Sequence, residues 1–275
     1  MTSMPRRLTV VIASLILVAI AGGFLLSLDG AVAAPLPVRS FPDFTGSYYR
    51  GDGLGVNHTL QIDAVGAFLF RWDGCLGNYA QSAGSATPIG RELVLTTHWR
   101  GRQKAWEVTE GRYRPIRWGD RRYLIPTERM MSFLNEINLG TEPRQSARGL
   151  HYLRQDDWEL LASGLPDLPP SYRRYLLDEP IEGAVFRALA EPGTFEVTVN
   201  RPGLVPGMAL VSDGNPKKPG LCELTVLSLE GETAVAKADE PFEDFCELRA
   251  GYKVSTSLAS LSTDFFRHPG SRWLR

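Results

Sequence analysis

From Thr45 onward, apolar and polar positions alternate with a period of two, in short runs broken by glycine and proline. Residues 59–63 and 67–72 both alternate, and Val65 and Gly66 between them form a tight turn, so the pair predicts a β-hairpin. Residues 78–80, 92–97, 106–109, 113–118 and 121–125 continue the series, with Pro115 suited to an edge or a bulge. The period then changes. Thr127 and Glu128 suit a helix start, Met130, Met131, Leu134 and Ile137 form one apolar stripe, and Gly140 supplies the stop. A further strand near 149–154 returns to the sheet. Pro166, Pro169, Pro170 and Pro180 punctuate a linker with a short helix around 171–177. A second alternating pattern follows, with strands near 183–190, 194–200, 208–212, 222–229, 233–238 and 252–257.

This pattern predicts a mainly β protein: an up-and-down antiparallel β-barrel-like domain carrying one helix, then a second, smaller β-barrel. The domain boundaries are 45–160 and 183–258, with linkers at 35–44 and 161–182 and a tail at 259–275. Glycine (27) and proline (19) support many turns and short strands rather than long helices.

The N-terminus is built differently. Arg6 and Arg7 precede an uncharged apolar run over residues 8–28, and Ala31, Val32 and Ala33 stand where a signal peptidase would cut. As a helix the run would cover about 32 Å, close to the ~30 Å of a hydrocarbon core. Residues 1–34 therefore read as a cleaved signal peptide or as an uncleaved membrane-anchor helix, and both remain open. Either way the arginines stay inside and the β body is exported, so the protein is expected to be periplasmic, secreted or anchored to the cytoplasmic membrane.

The net charge of −1 offers no global field for nucleic acid, and no nucleic-acid partner is expected. Charge is locally uneven, however. Residues 100–129 hold nine basic against four acidic residues, and residues 230–247 hold seven acids against one lysine. An anionic envelope partner for the first domain, ordinary solvated strand faces, and the two segments meeting across a domain interface are all compatible with that distribution. Of the three cysteines, Cys222 and Cys246 flank two expected strands of one segment and form the candidate disulfide, which would leave Cys75 outside the bridge and buried.

Gly46-Ser47-Tyr48 sits where lipocalins carry Gly-x-Trp, and Arg121 or Arg122 stands where a late-strand arginine would pack over that ring. With about eight strands and then a helix, the first domain resembles the lipocalin-like, or calycin, β-domains of bacterial envelope proteins. Tyrosine replaces the tryptophan, and the other short lipocalin motifs are missing. The second domain, through Val197–Asn200, Gly203–Met208, Cys222–Leu227 and Ala250–Val254, resembles small β-barrels of periplasmic assembly and cell-shape proteins. These motifs are turn chemistry and imply a fold rather than an activity.

Candidate chemistry is sparse. No Gly-x-Ser-x-Gly, His-Glu-x-x-His or P-loop is present, and no catalytic or metal residue and no cofactor is assigned. The histidines (58, 98, 151 and 268) are widely spaced, and the glycine-rich 51–55 leads into a strand rather than a helix, as a hairpin loop would. Residues 72–79 form the densest cluster. Either Asp73-Gly74 is a plain turn, or Trp72, Asn78 and Tyr79 rim a barrel mouth. Tyr48, Trp72, Asn78 and Tyr79 are the candidate ligand- or partner-binding residues. The expected function is a non-enzymatic extracytoplasmic envelope protein that binds a protein partner or envelope component. The alternative is a calycin-like carrier of a small apolar ligand, and an extracytoplasmic hydrolase ranks third.

Overall fold

The computed structural model describes residues 44–51, 53, 55–101, 111–142, 151–212, 221–238 and 246–261. The expected signal or anchor segment, the strand at 106–109, His268 and the C-terminal 262–275 lie outside these residues. Among the described residues no helix is long and apolar enough to cross a membrane.

Two closed antiparallel barrels form the body. The first runs up and down through β1 (Gly46–Gly51), β2 (Asn57–Ile62), β3 (Ala67–Gly74), β4 (Gly77–Ile89), β5 (Glu92–Arg100), β6 (Gly111–Trp118), β7 (Arg121–Pro126) and β8 (Tyr152–Arg154). It closes where Tyr48 and Tyr49 of β1 pair with Arg154 and Leu153 of β8. The expected β2–β3 hairpin forms, with the Asp63 carboxylate accepting from the amides of Val65 and Ala67. Pro115 lies beyond the β5–β6 pairing, which ends at Leu93 opposite Tyr113, so β6 is locally an edge there.

Period-two alternation sets what fills the barrel. Tyr48, Leu60 and Phe70 stand opposite one another on β1, β2 and β3, and with Phe68, Leu93 and Leu95 they are buried in one interior cluster. The other face of β6–β8 is apolar as well. Ile116, Trp118, Tyr123, Ile125 and Leu153 pack outward against the helix α1 (Met130–Leu139). A 3-10 turn over Thr127–Arg129 precedes α1, so its N-cap is Arg129 rather than Thr127. Gly140 ends it at φ 81°, its amide bonded to the Ile137 carbonyl, a left-handed geometry that glycine adopts without a Cβ clash. Phe133 is fully buried between Trp118 and Tyr123, and truncating such a ring to alanine costs ~3–5 kcal/mol.

The second barrel has the strand order β10-β13-β12-β11-β14-β9: β9 (Glu182–Ala188), β10 (Thr194–Val199), β11 (Ala209–Ser212), β12 (Cys222–Glu230), β13 (Thr233–Ala238) and β14 (Lys253–Ser255). Ala234, Ala236 and Ala238 keep its interior narrow around Val197, Leu224 and Val226. The disulfide between Cys222 and Cys246 forms as the sequence suggested. Cys75 stays outside the bridge, but it is exposed rather than buried.

Helix α1 also ties the barrels together. Asn135 donates to the Gly207 carbonyl (3.0 Å) and accepts from the Ala209 amide (3.1 Å), while Leu139 packs on Ala209 and Val211. Asn138 similarly bonds the Tyr175 carbonyl and the Leu177 amide. The proline-rich connection is thus packed rather than loose. It carries the short helix α2 (Pro170–Arg173), and Leu168 and Ile181 are buried.

Candidate functional site

The first barrel has two unlike ends. At the entry end, β1 begins and the β2–β3, β4–β5 and β6–β7 turns lie. At the distal end, β1 leads into β2 and β3 turns into β4. The inward alternation of β1, β2 and β3 continues to the distal end, but there the residues are Arg50, His58 and Trp72.

Arg50 directs Nε (3.1 Å) and Nη2 (2.9 Å) at Nδ1 of His58. A guanidinium only donates, so Nδ1 accepts and the imidazole proton sits on Nε2. Burial first, then the charges of Arg50 and Arg129, hold His58 down to about 3. His58 is therefore neutral at physiological pH and is no general base there. Its ring meets Phe70 edge-on at 5.5 Å and Trp72 at 5.4 Å, and Trp72 meets Tyr79 at 5.3 Å. On the other side the Arg50 guanidinium lies 5.1 Å from the centre of the Tyr152 ring, which packs against Tyr113. Burial, with the Tyr152 phenol beside it, pushes the Tyr113 hydroxyl above its ordinary range, so it stays protonated. The distal end thus combines guanidinium charge, neutral hydrogen-bonding rings and aromatic faces, chemistry that holds polar or anionic groups against π-surfaces.

Of the sequence candidates, Trp72, Asn78 and Tyr79 come together here. Asn78 acts locally, its amide donating to the carbonyls of Trp72 and Ala80 and to the Asp73 carboxylate, which spans the bulge at Trp72/Asp73. Tyr48 does not join them. It is buried and points to the entry end, its hydroxyl donating to the Phe44 carbonyl. The arginine expected over that ring divides into two roles. Arg121 is buried and bonds the Leu160 and Trp158 carbonyls. Arg122 pairs with the fully buried Asp157 through Nε (2.8 Å) and Nη2 (2.5 Å), and this hydrogen-bonded carboxylate raises the Arg122 pKa above its ordinary value. The sequence pattern alone did not single out Arg50 and His58. Their signal was present, since both continue the inward register of Tyr48 and Leu60 by two residues.

Among the described residues, four of the basic side chains in 100–129 are engaged within the fold. Arg112 and Arg114 both pair with Glu92, Arg122 with Asp157, and Arg121 caps carbonyls. His98 bonds Ser85, and His151 is buried edge-on against Phe133. Among the described residues no group of three His, Cys, Asp or Glu could hold a metal ion.

No protein-family model, curated protein or solved structure matches the chain. The geometry of the two barrels therefore carries the functional reading.

Proposed function

We propose that this is a non-enzymatic extracytoplasmic envelope protein that binds a protein partner or an envelope component at the distal rim of its first barrel. One observation carries the reading: Phe68, Phe70, Leu93 and Leu95 are buried together inside the barrel, whereas the distal rim gathers Arg50, Trp72 and Tyr79. The positive n-region and apolar run at the N-terminus support export, and the disulfide fits an oxidising compartment. The closed eight-strand up-and-down order supports a lipocalin-like reading of the first barrel, although helix α1 stands between β7 and β8 rather than after the last strand. A carrier needs room inside, and the buried Phe68, Phe70, Leu93 and Leu95 weigh against it. A hydrolase needs a competent base, and His58, with Nδ1 bound to Arg50, does not supply one.

The test is photo-cross-linking in cells from a benzophenone side chain at Leu76, the 90 % exposed tip of the β3–β4 turn. A discrete adduct that weakens when Trp72 and Tyr79 are replaced by alanine supports rim binding. An adduct pattern indifferent to those replacements, or no adduct, refutes it.

A further inference from the structure

The entry end carries a separate feature. Large apolar side chains stand exposed on its turns: Val65 (88 %) between β2 and β3, Ile89 (51 %) at the end of β4, and Leu161 (74 %) and Leu165 (70 %) in the loop after β8. That loop is fixed to the same rim, with the Asp120 amide bonded to the Leu161 carbonyl and the Trp118 indole to the Gly164 carbonyl. The four side chains therefore project from three separate, anchored points around one end of a closed barrel. Isolated exposed leucines are ordinary, but convex tips spread around a rim differ from a groove. A protein partner would need a matching concavity for each tip, whereas the interfacial layer of a bilayer deforms around all of them.

The chain itself supports that occupant. It enters the barrel at this end, through Phe44 and Gly46, and only residues 29–43 separate it from the apolar run at 8–28. Such a short connection raises the effective concentration of the entry rim at any membrane the run engages. The charge around the tips is mixed, with Asp63, Asp120 and Glu159 against Arg91 and Arg117, so attraction to anionic lipid is not the driving force.

We infer that the entry rim of the first barrel docks on a phospholipid surface, inserting Val65, Ile89, Leu161 and Leu165 into its interfacial layer while the distal rim faces away. Interfacial binding of this kind scales with the apolar area buried. It goes beyond the distal-rim reading and does not depend on it.

The test uses the full chain with Cys75→Ser and single nitroxide labels at positions 65, 161 or 76, mixed with neutral phosphatidylcholine vesicles. Collisional access to oxygen relative to a water-soluble nickel complex is expected to rise on vesicle addition at 65 and 161 and to keep its solution value at 76. Leu161→Asp with Leu165→Asp is expected to return the label at 65 to its solution value. Because the labels sit on exposed turns, the single-label comparison stands even where the double variant folds poorly. Equal behaviour at 65, 161 and 76, or a rise only with anionic vesicles, overturns the inference. Absence of any adduct from Leu76 in the otherwise unaltered protein in cells would refute the distal-rim function while leaving this result standing.

Discussion

Lowering the pH below the range where free histidine titrates should destabilise the first barrel through His58, and replacing this residue should remove that sensitivity. In the fold His58 titrates at about 3 rather than at 6.5, because protonation would bury a charge beside Arg50 and Arg129 and remove the Nδ1 acceptor. Between those two values the unfolded chain binds the extra proton and the folded one does not, so stability falls as the pH falls. The contribution is fully present above 6.5, and at pH 5 the linkage amounts to a loss of about 2 kcal/mol. His58→Asn keeps an acceptor near the Nδ1 position and does not titrate. Urea unfolding of both proteins at pH 7.5 and pH 5.0 measures the difference. The wild-type protein should lose about 2 kcal/mol more than the variant between the two pH values. Equal losses would refute this reading of His58.

Two further predictions concern the scaffold. Asp157→Asn removes the carboxylate that holds the Arg122 amide and guanidinium. Because the Arg122 side chain is 36 % exposed, the cost should sit near the lower end for a broken buried pair, about 2–3 kcal/mol in denaturant unfolding. Reducing the Cys222–Cys246 bridge, which closes a loop of sequence separation 24, should cost about 3 kcal/mol, read as a lower denaturant midpoint with reductant than without.

Much of the architecture was legible because alternation reports burial directly. The β2–β3 hairpin, helix α1 with its glycine stop and the restart of strands after the prolines all followed from period and turn residues. The exceptions have local causes. β4 extends over Gly77–Ile89, although its stretch of Ser, Ala and Gly has little β propensity. Pairing with both β3 and β5 overrides that preference, and Gly84 is required where a Cβ would lie 2.0 Å from the Thr96 carbonyl oxygen. The β3–β4 turn lies at Cys75 and Leu76 rather than at Asp73 and Gly74, which remain in strand. Gly74 serves close packing instead: a Cβ there would lie 2.1 Å from the Tyr79 ring. That two-residue shift carries Cys75 out to the exposed tip. Tyr48 and the aromatic cluster of Trp72 and Tyr79 are equally plausible rim residues in the sequence, yet strand direction sends the two to opposite ends of the barrel, a relation that no local pattern encodes.

The central claim is that the first barrel works from its distal rim and not from its interior. The most direct measurement compares the yield of the Leu76 cross-link in Trp72→Ala, which alters the rim, and in Phe70→Leu, which alters the packed interior two residues away on the same strand. Rim binding predicts that the adduct is lost in Trp72→Ala and retained in folded Phe70→Leu. Retention in Trp72→Ala with loss in Phe70→Leu would contradict it and place the binding inside the barrel.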